Sequence, residues 1–124
     1  MTFTVVALSE DGMNLGVATA TCTLAVGSAV LAAAPGVGAI ATQAYTNRRF
    51  RSHTLDSLRR EAHPERVIAA LRDDDPGFAL RQVGIVDWQG RFALHTGADC
   101  TEWAGGVGRP GSVFIGNLLT SAAV

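Results

Sequence analysis

The chain has 124 residues, 48% of them hydrophobic and only 17% charged, with a formal net charge of −1. That length suits a single domain that buries roughly two-thirds of its surface, and the lack of any basic block argues against a nucleic-acid footprint. Every Lys/Arg position is arginine, which excludes a lysine nucleophile or Schiff base.

The N-terminus reads Met1-Thr2-Phe3-Thr4-Val5-Val6-Ala7-Leu8. Thr2 is small enough that removal of Met1 is expected, which leaves a hydroxyl and a free α-amine on one residue. Such a pair is a complete nucleophile-and-base unit, because the amine accepts the hydroxyl proton as the oxygen attacks. Phe3 to Leu8 is a short apolar run closed by Ser9-Glu10-Asp11-Gly12, so it predicts a buried strand. Leu15 to Cys22 predicts its antiparallel partner. Gly16, Ala18 and Ala20 leave one face of that partner almost bare, open to close approach by another backbone. Leu24 to Ala32 and Val37 to Gln43 predict a second strand pair around the Pro35-Gly36 turn.

Leu24 to Ala44 is also the longest apolar tract, but Pro35 and several glycines divide it, and the N-terminus has no charged signal-peptide flank. A cytoplasmic protein outside the membrane is expected. Cys22 and Cys100 lie far apart, with no CxxC or His-rich spacing. They are read as buried free thiols, with no structural metal and no inferred disulfide.

Gln43, Tyr45 and Asn47 stand where the apolar run ends, at a strand-to-helix junction where functional groups are often displayed. Ser52 to Ala62 then takes a helical period, with Leu55, Leu58 and Ala62 on one stripe. His63-Pro64-Glu65 breaks it and opens a second helix, with proline at a first position and an acid in the first turn. Val67, Ile68 and Leu71 form its apolar stripe, and Asp73-Asp74-Asp75 reads as three solvated carboxylates at its end. Arg81 to Asp87 and Arg91 to Thr96 alternate as a hairpin around Trp88-Gln89-Gly90. Gly97 to Gly111 reads as a glycine-rich loop in which Trp103 anchors to the core, and Ser112 to Leu119 as a last strand. No dinucleotide fingerprint, P-loop or nucleophile elbow is present.

Two strand hairpins, two helices and a third hairpin form the order in which the N-terminal nucleophile (Ntn) hydrolase fold begins. The segments MTFTVVA, LGVATA, LAVGSAV, GVGAIATQAYTN, DPGFALRQVGIVDWQGRFALHTGADCTEWAG and the late Gly-Asn of FIGNLL cover nearly the whole chain. Together they resemble the Ntn-hydrolase-like family known as domain of unknown function 1028. The resemblance implies an α+β fold, an αββα sandwich of antiparallel sheets, occupying residues 1–124 as one domain. It also implies an incomplete one, since such chains usually continue and carry a second helical layer. An uncovered apolar sheet face would follow, with a homo-oligomer or a complementing chain as partner.

By the same resemblance Thr2 is the candidate nucleophile, with His95 and Asn117 as catalytic candidates near a developing oxyanion. Gln43, Tyr45, Asn47 and Thr96 are the candidates for lining the substrate cleft. The implied activity is cofactor-free hydrolysis of a small amide, without nucleic-acid or membrane partners. A non-catalytic binding or assembly module on the same fold is the alternative. The absence of lysine, Ile115 where glutamine commonly precedes Gly-Asn, and the shorter chain favour it; Thr21-Cys22, where the family usually has a polar residue or arginine, is a further departure.

Overall fold

The computed structural model describes residues 1–124. Its strands are β1 (Thr2–Leu8), β2 (Leu15–Thr21), β3 (Leu31–Ala34), β4 (Gly38–Ala44), β5 (Arg81–Asp87), β6 (Phe92–Thr96), β7 (Gly105–Arg109) and β8 (Ser112–Asn117). The helices are a single turn α1 (Val26–Ala29), α2 (Arg49–Arg59) and α3 (Pro64–Asp74). The strands make two antiparallel four-stranded sheets, one in the order β2-β1-β8-β7 and the other β3-β4-β5-β6.

Alternation along the strands decides which side chains face which layer. Val6, Ala39, Ala41, Val86, Val113 and Ile115 form an apolar core between the two sheets. Ile40, Val83 and Ile85 point from the opposite face of the β3–β6 sheet into a second core with Phe50, Leu58, Val67, Ile68 and Leu71 of α2 and α3. The protein is thus a mixed α+β structure of three layers, helices on one sheet and that sheet on the other. The outer face of the β2-β1-β8-β7 sheet has no covering layer. Phe3 and Phe114 on it are 47% and 44% exposed.

Four expectations are corrected. The tract Leu24 to Ala32 is not one strand: Ala25 takes a left-handed φ of 56°, its carbonyl accepts from Ser28, and the chain winds through α1 before pairing at Leu31. Small residues without alternation offer a strand little side-chain packing, so a locally closed turn wins there. The first long helix begins at Arg49, because Asn47 Oδ1 accepts from the Arg49 amide and Phe50 supplies an early apolar contact. Its buried stripe is Phe50, Thr54 and Leu58, not Leu55, Leu58 and Ala62. Cys22 is exposed, and only Cys100 is buried.

The Gly97 to Gly111 segment is half strand rather than loop. Glycine is a requirement of packing at β7: a Cβ on Gly108 would lie 2.4 Å from the Phe92 ring, and one on Gly106 2.6 Å from the Phe114 carbonyl oxygen. Trp103 is not a core anchor. It is 39% exposed and leans over Gly105 at the margin of the open sheet face.

These contacts separate two glycines that look equivalent in sequence. Gly108→Ala should destabilise by about 1–3 kcal/mol through overpacking. Gly16→Ala, whose new methyl meets nothing within 4 Å, should stay within about 0.5 kcal/mol of the parent. Urea unfolding of the two variants measures both, and equal effects would contradict the packing described for β7.

Candidate functional site

β1 lies between β2 and β8, and the register sets Thr2 directly across from Thr21 on one side and Asn117 on the other. On the facing sheet Gln43 pairs with Gln82, and Gln82 pairs with Thr96. The alternation that buries Val6, Ala41, Val86 and Ile115 between the sheets carries Thr2, Thr4, Gln43, Gln82 and Asn117 to the same interface. At this end of the sandwich an apolar core therefore gives way to opposed rows of hydroxyls and carboxamides.

Hydrogen bonds join Thr4, Gln43, Gln82 and Asn117 into one network, and Thr2 pairs separately with Thr21. Thr2 Oγ1 lies 2.9 Å from Thr21 Oγ1, and Thr4 Oγ1 lies 2.6 Å from Thr19 Oγ1. Thr4 Oγ1 donates to Gln43 Oε1 at 2.5 Å, and Gln43 Nε2 donates to Gln82 Oε1 at 2.8 Å. Asn117 Nδ2 donates to the same Gln82 oxygen at 3.1 Å. Gln82 Nε2 faces three acceptors, Thr96 Oγ1 and the carbonyls of Gly105 and Gly116, at 2.9, 3.1 and 2.8 Å, so one of its two hydrogens is shared between two of them. Gln43, Gln82 and Asn117 are all buried, and no charged side chain enters the network.

Two of the three carboxamide-bearing strands, β4 and β8, end in left-handed backbone. Ala44, next to Gln43, has φ of 63°, and Leu118, next to Asn117, has φ of 55°. Left-handed conformations at such residues cost of order 1–3 kcal/mol and gather at ligand sites and active sites. The Leu118 backbone N–H donates a hydrogen bond to the Thr101 carbonyl, and Leu119 exchanges two backbone hydrogen bonds with Trp103.

Thr2, Asn117, Gln43 and Thr96 thus come together at one end of the inter-sheet layer, whereas three other candidates do not. His95 is corrected by the alternation itself: beside Thr96 in β6, it points to the opposite face. There its ring stacks on Phe78 with centroids 4.1 Å apart, and Nε2 lies 3.3 Å from the Phe78 carbonyl. Burial lowers its pKa, the Phe78 carbonyl opposes that shift, and Arg72 adds to it. Tyr45 lies beyond the bend at Ala44 and is 60% exposed. Asn47 works at the start of α2 and donates to Asp75 Oδ2 at 3.0 Å. Gln82, Thr4 and Thr19 join the site without having been singled out. The signal for Gln82 was a polar residue in phase with Gly84 and Val86.

An apolar concave surface lies on the other face of the β2-β1-β8-β7 sheet. A groove of about 670 Å³ runs over the uncovered sheet face, lined by Phe3, Val5, Ala20, Val107 and Phe114 with Trp103 at its edge. Thr2 is not among the residues that line it.

Asp75 is not one of three solvated acids. Its carboxylate pairs with Arg81 Nε at 2.9 Å and accepts from Asn47 and the Gly77 amide. Chiefly through Arg81, these bonds hold its pKa down at about 2, against an ordinary 3.8. A lowered carboxylate pKa stabilises the fold fully above the unfolded value, and that contribution is lost as pH falls through the folded value. Asp75→Asn should lower stability at neutral pH by on the order of 2 kcal/mol, and the deficit should shrink between about pH 4 and pH 2. Urea titrations across that range check it, and a deficit independent of pH would contradict the ion-pair account.

The model of the family described as "family of unknown function (DUF1028)" matches residues 2–124. The crystal structure of protein SPO2555 from Silicibacter pomeroyi, assigned to that family, superposes with a TM-score of 0.93 at 30% sequence identity. The match covers 98% of this chain and 57% of that one, so the chain spans little more than half the length of this relative. No curated protein matches the chain. With a family match over residues 2–124 and a close structural counterpart in the same family, the chain belongs to the family of unknown function DUF1028.

Proposed function

We propose that the protein is an Ntn-type amidohydrolase acting on a small neutral amide, built on an Ntn-hydrolase-like αββα plan. The observation that carries this reading is the direct pairing of Thr2 with Asn117 at the buried polar end of the sandwich. With Met1 removed, Thr2 Oγ1 forms a bond to the amide carbonyl carbon and its proton passes to the Thr2 α-amine. Asn117 Nδ2 supports the resulting oxyanion. The C–N bond then breaks, the departing nitrogen takes the proton from the α-amine, and a Thr2 ester remains. Water cleaves that ester, releases the acid and restores the hydroxyl.

Proton relay of this kind contributes roughly 10²–10⁴-fold, and one oxyanion donor about 10²–10³-fold. Gln43 and Thr96 shape the polar floor on the facing sheet, and its lack of charge favours a neutral substrate. His95, Tyr45 and Asn47 have no part in this reading. The chemistry needs no cofactor.

A β-lactone tests it, because such a strained ester acylates an N-terminal threonine hydroxyl without a known substrate. The mature chain should gain one acyl group, located on Thr2 by peptide mass spectrometry. Thr2→Ala should remove that adduct, and Thr2→Ser should keep the rate within about tenfold. Acylation of Thr2→Ala at the parent rate would remove Thr2 from the mechanism.

A second reading, as a non-catalytic assembly module, is favoured by the uncovered sheet face. Phe3 and Phe114 form a ridge beside the bare strip of Gly16, Ala18 and Ala20. Under a two-fold axis the ridge of one copy would lie against the strip of another, the arrangement a self-complementary interface requires. Sedimentation should then show a dimer that Phe114→Asp dissociates. A monomer at all concentrations would exclude a second copy as the cover.

A further inference from the structure

Two glycine carbonyls determine how the whole polar network is oriented. A backbone carbonyl can only accept, so the side-chain atom of Gln82 that faces Gly105 O and Gly116 O must be the NH₂ group. Its oxygen then faces Gln43 and Asn117, and both neighbours must turn their own NH₂ groups toward it. Gln43 consequently presents its oxygen to Thr4, whose single hydroxyl proton is spent there. Thr4 can then only accept from Thr19. Turning over any one carboxamide would oppose donor to donor or acceptor to acceptor in a dry interface.

Asn117 stands at the end of this chain beside Thr2. Its Nδ2 gives one hydrogen to Gln82, and the second, about 120° away, has no partner within the protein. An Asn117 free to rotate would spend part of its time offering its oxygen instead. Gln82 is fully buried and held by both sheets, so it is a rigid anchor.

We propose that Gln82 is a positioning residue that fixes the Asn117 carboxamide with its nitrogen available to an oxyanion formed at Thr2. This rests on the amidohydrolase reading and adds a residue two sheets deep to its site. Gln82 touches no substrate and acts only through Asn117, against the directional cue of the Gly105 and Gly116 carbonyls.

The test uses the mature chain and the β-lactone, with the maximal acylation rate and the half-saturating concentration determined separately. Gln82→Met keeps the side-chain length and removes its polar atoms. It should lower the maximal rate roughly 10- to 100-fold with half-saturation changed less than about threefold. Asn117→Ala should lower the rate about 10²–10³-fold, and adding Gln82→Met to it should cost nothing more. A parent-like rate in Gln82→Met, or losses that multiply in the double variant, would overturn the proposal.

Should Gln82→Met fail to fold, the unmodified protein labelled with ¹⁵N and ¹³C decides the matter by NMR. A scalar coupling through the hydrogen bond from Asn117 Nδ2 to Gln82 Cδ is expected. Its absence, or a coupling of the reverse sense from Gln82 Nε2 to Asn117, would refute the fixed orientation. An unreactive Thr2 in the parent protein would instead defeat the nucleophile reading and leave the coupling result to judge Gln82 alone.

Discussion

Gln82 holds the two sheets together in the one place where their interface is polar. It has no exposed surface and bonds to β4, β6, β7 and β8 at once. In a dry interface each missing partner would cost about 1–3 kcal/mol, so this cluster tolerates only one register of the strands that carry it. A slip of one residue in β5 would send Gln82 into the helix-side core and turn Val83 toward the facing carboxamides. The contrast with that helix-side core is informative. There the buried hydroxyls of Thr42 and Thr54 have no partner, whereas the carboxamides of Gln43 and Gln82 between the sheets are bonded through both their oxygen and their nitrogen.

The layers have unequal roles. The β3–β6 sheet is buried on both faces and supplies the rigid half of the site, with Gln43 and Gln82 on its two central strands. The other sheet brings Thr2 and Asn117 to the interface and leaves its outer face bare. A bare face beneath β1 and β8 means that whatever packs against Phe3 and Phe114 also bears on the strands carrying Thr2 and Asn117. Assembly and chemistry would then be coupled through the same two strands.

Two of the chain's four left-handed non-glycine residues flank the polar rows. Ala44 and Leu118 adopt left-handed backbone one residue beyond Gln43 and Asn117, and both bends carry the chain away from the polar rows. Ala25 and Glu61 take the same left-handed backbone at turns elsewhere, so the conformation at Ala44 and Leu118 sets the direction of the chain and does not by itself mark a site. Membership of a family of unknown function supplies a fold and a set of relatives, while the chemistry has to be argued from these residues. The longer Silicibacter pomeroyi relative shows that the same architecture occurs within a larger chain.

Local pattern in the sequence was enough for most of the elements. Alternation located β2, β5 and β6, apolar runs located β1, β4 and β8, and His63-Pro64 located the start of α3, because these signals depend only on near neighbours. It failed where long-range contact decides the outcome. β7 is a strand because Gly106 and Gly108 must fit beneath Phe114, Phe92 and Leu94, and Leu24 to Ala32 winds into a turn because nothing opposite rewards a strand. Thr2 and Asn117 stand at opposite ends of the chain, and only the β1–β8 pairing makes them neighbours. His95 and Thr96 are adjacent in sequence, yet a pleat sends them to opposite faces. Gln82 looked like one more strand residue until the sheets were stacked, since a carboxamide acquires its meaning from the carbonyls it faces, and those belong to β7 and β8.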